Sequence, residues 1–340
     1  MPIVINYVVP EPTLPTYAPV WEDDDACSIL VPLDVLSMDP SLVTITAGGV
    51  ALPEDAAPAW SNTDTYGIGD QVHHLATHRV YESLKDNNIG KDPTVLANRV
   101  SAAGVGTWWL EVGPTNRAAM FDGLVSSKTY ADSPLVIKLR PGAFNGFALF
   151  GIEADQYSVT VKDAPGGNTI YYQPLTSLDA STPGDYYEYF FSPFKPLTRL
   201  VRTDIEPYGS AEITLILTKA SGQVGLGMFA IGDMRPIGIP QRDASVEPID
   251  YSYVKTDQYG NSTVRKGAVA TGMSITTKMD KELAGLVLDT VQQVLGTPCV
   301  VVGSKAQYYE WMTVFGLISG RMSPADYPFA TLSITVKGLI

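Results

Sequence analysis

All three histidines of the chain fall in one short stretch, His73-His74-Leu75-Ala76-Thr77-His78. Imidazoles this close together could chelate a transition metal if they folded onto one face. On a strand, however, His73 and His74 point to opposite faces, so at most two of the three converge; a surface hairpin accounts for the run without a metal. Cys27 and Cys299 stand far apart in sequence, match no metal or redox spacing, and read as buried free thiols. The acidic cluster Glu22-Asp23-Asp24-Asp25 lacks the spaced Asp/Asn/Gly pattern of a calcium loop and reads as a solvated turn. No nucleophile elbow, phosphate loop or dinucleotide fingerprint is present. Gly225-Leu226-Gly227 begins like the last of these, but no third glycine follows in place. Carboxylates are plentiful enough for paired-carboxylate glycoside hydrolysis, yet no element visibly brings two together. These residues predict a non-enzymatic chain with no metal site and no cofactor.

The aromatic residues are the stronger lead. Trp60, Tyr66, Tyr81, Trp108 and Trp109 crowd into a segment with few other apolar residues. Flat aromatic faces stack on sugar rings, and indole and phenol edges serve hydroxyl groups, so the five are candidate carbohydrate-binding residues. The competing reading is a minimal core made of a few large rings. Trp108 and Trp109 cannot both face a core if they lie on a strand, which leaves one of them directed outward.

These candidates must be positioned by a mainly β, multidomain chain. Residues 1–58 form an N-terminal extended or β segment, with an apolar run at 27–36 and a polar, proline-bearing linker at 51–58. Residues 59–113 form a small β-module with strands near 71–75 and 77–83. Residues 114–240 alternate short apolar runs with turns such as Pro141-Gly142, Pro165-Gly166-Gly167 and Ser221-Gly222, which predicts a jelly-roll-like β-sandwich. Its expected strands include 146–152, 186–191, 198–203 and 225–231. Residues 241–340 form an α+β domain. A hairpin turns at 257–261, and one helix is capped by Asp280, carries Leu283, Leu286, Val287, Val291, Val294 and Leu295 on one face, and stops at Gly296 and Pro298. That helix covers one face of a sheet.

The net charge of -13 disfavours nucleic acid as a partner, because phosphate binding needs clustered Lys and Arg. Charged residues make up 17% of the chain, below the roughly 25% typical of soluble domains, which suits surfaces buried against neighbours. No basic leader or apolar run of membrane-spanning length occurs, so no membrane insertion is expected.

The series Trp60, Tyr66-Gly67-Ile68-Gly69-Asp70-Gln71-Val72, His78-Arg79-Val80-Tyr81-Glu82-Ser83, Pro93 and Trp109 resembles the small carbohydrate-binding modules of families 5 and 12. Where sugar-binding members carry a tryptophan-bearing segment after the second strand, this chain has Leu84-Lys85-Asp86-Asn87-Asn88-Ile89-Gly90, and 94–106 looks like an insertion. A wider resemblance, over most of residues 59–340, is to bacteriophage tail and baseplate proteins. It is carried by Tyr81-Glu82-Ser83, by Val112-Gly113-Pro114-Thr115-Asn116-Arg117, by Tyr187-Glu188-Tyr189-Phe190-Phe191, by Lys255-Thr256-Asp257-Gln258-Tyr259-Gly260-Asn261 and by Ser333-Ile334-Thr335-Val336-Lys337-Gly338-Leu339-Ile340. This resemblance implies a structural protein of the virion tail, made in the host cytoplasm. Its implied partners are other tail or baseplate proteins and further copies of itself in a homo-oligomer with tail symmetry, with a host-surface glycan as a further contact. The rival expectations are a polysaccharide-degrading tail enzyme with an attached sugar-binding module, and a secreted sugar-binding protein.

Overall fold

A computed structural model of the chain describes residues 26–100, 106–179, 187, 196–203, 205–256, 258–260, 262–306, 309–325 and 327–339. The acidic cluster at 22–25 and, apart from Tyr187, the strand expected at 186–191 lie outside the described residues.

The protein is mainly β and built on several sheets. A six-stranded sheet runs in the order Thr169–Ser177, Gln156–Lys162, Glu212–Thr218, Leu135–Leu139, Val43–Ala47, Val50–Ala51. Alternation along these strands explains the layer. Leu135, Ile137 and Leu139 are buried, as are Tyr157, Val159 and Val161, while the residues between them are only partly covered. The inward set meets Phe147, Leu149, Phe229 and Ile231 of a second sheet to make the largest core.

That second sheet has nine strands, ordered Arg199–Arg202, Gly146–Phe150, Met228–Pro240, Cys27–Pro32, Cys299–Val302, Thr313–Pro324, Phe329–Gly338, Val269–Asp280, Ser245–Asp250. Strand pairing therefore runs unbroken across residue 240. Met228–Pro240 pairs with Gly146–Phe150 through its first half and with Cys27–Pro32 through its second. The strand Cys27–Pro32 is the seam, lying between that long strand and Cys299–Val302. It reads as a continuous apolar run because both its faces are buried: Cys27, Ile29 and Val31 enter one core and Leu30 the opposite one. Gly232 permits the close approach at this seam, since a Cβ there would run into the carbonyl of Val31.

The N-terminal part is tied into this architecture, and the linker expected at 51–58 is not free. The described portion of 1–58 supplies strands to both large sheets. The stretch 51–58 is pinned at several points: Leu52 is buried in the main core, and the side chains of Glu54 and Asp55 accept hydrogen bonds from 115–116.

The C-terminal helix spans Ala284–Val294. Val287, Thr290, Val291 and Val294 are buried against the sheet, but Leu286 and Leu295, expected on that face, are exposed. The buried stripe is thus narrower than the apolar pattern. Asp280 ends the preceding strand rather than capping the helix; its carbonyl accepts from the Leu283 N–H, and no side chain caps the helix start. Gly296 follows at φ +80°, the left-handed conformation that closes a helix. The run at 225–231 is two strands, Val224–Leu226 and Met228–Pro240, because Gly227 lies against the carbonyls of Val125 and Phe150.

From the Ser245–Asp250 edge the chain continues into a separate two-stranded hairpin, Tyr253–Thr256 paired with Ser262–Arg265. Every one of its strand residues is exposed.

Candidate functional site

The small module is built on a three-stranded sheet, Gln71–His74, Arg79–Ser83 and Trp109–Pro114, with a short pair, Thr65–Tyr66 and Asn88–Ile89, beside it. The turn into the first strand is fixed by local chemistry. Gly69 adopts φ +85°, the Gly67 N–H donates to Asp70 Oδ2 at 2.7 Å, and Asp70 and Ser83 pair through the backbone. The insertion at 94–106 contains a short helix, Leu96–Arg99, whose end is tied to the strand by a bond from the Trp108 N–H to the carbonyl of Asn98.

The five aromatic candidates divide sharply. Trp109 and Tyr81 are each 1% exposed and Tyr66 is 8% exposed; with Val72 they form the module's core. Trp109 meets Tyr66 edge-on at 5.4 Å between centroids and donates its indole N–H to the carbonyl of Lys91 at 2.6 Å. Tyr66 exchanges bonds with the backbone of Ser61; burial pushes its phenol up, against the lowering effect of that bond. With their faces packed, Tyr66, Tyr81 and Trp109 have no ring to offer a ligand. They form the core against which Trp60 and Trp108 pack.

Trp60 and Trp108 pack against this core while remaining partly accessible. Trp60 tilts over the His74 ring at 5.7 Å, and its buried indole N–H has no acceptor. Trp108 is the outward member of the doublet. Two ammonium groups stand over its ring, Lys85 Nζ at 4.9 Å and Lys91 Nζ at 5.3 Å from the centroid. Nothing in the residue pattern signals this, because the lysines come from different loops and no periodicity joins them to Trp108.

The histidines disperse. His73 is buried, not on the surface, with Nδ1 at 2.7 Å from the carbonyl of Ala57. His74 accepts from the Ala76 N–H. His78, in the left-handed conformation at φ +52°, places Nδ1 at 2.7 Å from Glu54 Oε1. Among the described residues no group of three or more His, Cys, Asp or Glu side chains is arranged to hold a metal ion. Cys27 and Cys299 are both buried free thiols, pushed up to about 12 by burial.

A polar joint fastens the module to the body. Glu54 Oε1 takes hydrogen bonds from His78 and from the Thr115 hydroxyl, each at 2.7 Å, and Arg117 Nη1 lies 4.0 Å from Glu54 Oε2. Asp55 accepts from the Asn116 N–H, and Asn116 bonds the backbone of Tyr130 in both directions. Val112–Arg117 is the stretch that links the two cores.

The architecture defines a mainly β protein in which a sandwich, a larger sheet and a small aromatic module are joined. No family model matches the chain, and no curated protein matches it. Among solved structures, it is similar to chitosan-binding module 1 of a chitosanase/glucanase from Paenibacillus sp. IK-5, at 13% identity over 34% of this chain and 82% of that one, with a TM-score of 0.23. It is also similar to the module CpGH89CBM32-5 from Clostridium perfringens, solved with GalNAc-β-1,3-galactose, at 15% identity over 34% and 81% of the two chains, again with a TM-score of 0.23. Superpositions this loose carry no argument about function.

Proposed function

We propose that the chain is a non-catalytic structural subunit of a phage tail tip or baseplate, whose sheeted body packs against further copies and whose small module faces the host. The tail assignment rests on the sequence resemblance over residues 59–340. The observation that carries the assembly role is the hairpin Tyr253–Thr256/Ser262–Arg265. A two-stranded ribbon is marginal in water by itself, yet this one exposes Tyr253 and the directly paired Val254 and Val264. It also carries Lys255, Arg265 and Lys266 against one acidic residue, Asp257, on a chain of net charge -13. A basic, apolar arm on an acidic body fits a second copy of this chain. Antibody against the chain, imaged on intact particles, should label the distal tail; label confined to the capsid, or absent from particles, contradicts the tail assignment. Purified chain should leave polysaccharide lengths unchanged.

A second role, glycan contact, is favoured by Trp108, whose ring remains partly accessible while its partner Trp109 is buried. One stacked ring binds weakly, and many copies on one particle make such binding effective. Trp108→Ala should leave particles assembled and lower their adsorption to the host. Unchanged adsorption makes the module a spacer.

A further inference from the structure

We propose that the ligand of the Trp108 platform is an acidic saccharide, whose sugar ring stacks on the indole while its anionic group lies between Lys85 and Lys91. This inference rests on the glycan-contact reading and adds the charge of the sugar. In a chain with 36 acidic and 23 basic residues, ammonium groups have carboxylates in surplus to pair with. Lys85 and Lys91 nevertheless form no ion pair among the described residues and converge on one ring.

The carboxylates adjacent to them in sequence are engaged elsewhere. Asp86 accepts the Ile68 N–H at 3.0 Å. Asp92 Oδ1 accepts both the N–H and the hydroxyl of Thr94 at 2.7 Å and stands 3.9 Å from His74 Nε2. Burial works to raise the Asp92 carboxyl, but the Thr94 bonds and His74 outweigh it and hold it below the ordinary carboxylate value. It therefore stays ionised while oriented to Thr94 and His74. The other two cations of residues 59–113, Arg79 and Arg99, are both taken up by Glu111, at 3.3 and 2.7 Å.

The backbone at both lysines is placed by the core. The Lys85 carbonyl accepts from the hydroxyl of the buried Ser83, and the Lys91 carbonyl accepts from the buried Trp109 indole. Trp108 is held from both sides through its backbone, by Asn98 and by Leu84. Two ammonium groups within 4.9 and 5.3 Å of the centroid of one indole ring make its surroundings attractive to an anion. A carboxylate or phosphate on a sugar bound at Trp108 can pair with both, whereas a neutral sugar offers them no charge.

The test is affinity electrophoresis of the full chain through four polymers. These are polygalacturonate, the same polymer as its neutral methyl ester, a phosphorylated mannan, and polyglutamate as an acidic polymer without sugar rings. The inference predicts retention by polygalacturonate or by the phosphomannan, with the better of the two identifying the anionic group. It predicts roughly tenfold weaker binding for Trp108→Ala, about threefold weaker for Lys85→Gln and for Lys91→Gln, and weakening with added salt. Equal, Trp108-dependent retention by the methyl ester leaves glycan contact standing and overturns the acidic assignment. Retention by polyglutamate equal to that by the acidic sugars overturns it also. Retention by none of the polymers removes both readings. The two lysine variants keep the test decisive if Trp108→Ala disturbs the module.

Discussion

The body and the small module are both β-structures, but they are held together by different means. In the body, two large sheets interdigitate long aliphatic rows, and the seam strand Cys27–Pro32 is buried on both faces. Loss of one side chain there is shared among many neighbours. Among its described residues the module's core cluster is Tyr66, Val72, Tyr81 and Trp109, and indole and hydroxyl bonds fix its loops. It can hold an aromatic ring and two cations at its surface because its few rings also anchor the loops that carry them. Its stability is correspondingly concentrated in single residues.

Trp109→Ala breaks this contrast most severely. Emptying the largest side chain of the module core should cost about 3–5 kcal/mol, enough to open residues 59–113 to protease while the thermal transition of the body stays in place. Simultaneous loss of both would show that the two are one cooperative unit. Glu54→Ala acts on the joint and should cost about 1–3 kcal/mol, by leaving His78 and Thr115 without their acceptor. Its readout is increased hydrogen exchange at 112–117 with both cores still protected.

A smaller effect is expected from pH. Burial works to raise the Glu212 carboxyl, but the Arg140 hydrogen bond at 2.8 Å and the charges of Lys138 and Arg140 carry it below the ordinary value. Its folded value therefore lies below its unfolded one. The stabilisation is complete above the unfolded glutamate value of about 4.3 and is lost as pH falls through the folded value. Glu212→Gln should flatten the acid limb of the body's stability profile and leave the module's unchanged. The smallest expected signal is thiol labelling. Cys27 and Cys299, pushed up to about 12, should stay unmodified by alkylating reagents near neutral pH in the native protein and in Trp109→Ala alike. Labelling in Trp109→Ala alone would couple the module to the seam.

Much of this plan was legible in the residues. Alternating runs with Pro-Gly and Gly-Gly turns marked 135–139, 157–161 and 211–218 as strands, close to the observed Leu135–Leu139, Gln156–Lys162 and Glu212–Thr218, because side-chain period and turn chemistry are local properties. The division of Trp108 from Trp109 followed from the same locality. Long-range pairing was not legible. Nothing near Cys27 announces that it will lie between residues more than 200 positions away, so the N-terminal segment could not be assigned to the seam. The helix face was overread because Leu286 and Leu295 satisfy helical spacing but lie beyond the sheet's reach. Lys85 and Lys91 escaped notice for a related reason: two loops bring them to Trp108, and composition does not report on loops meeting.

The central claim is that the body assembles through its exposed arm, and sedimentation of the full chain measures this directly. The account predicts a mass of several chains at low salt, falling to a single chain as salt rises and in Val254→Asp or Val264→Asp, with the thermal transition of the body preserved. A single-chain mass for the unaltered protein at every concentration and salt, or an assembly indifferent to both substitutions, would contradict it.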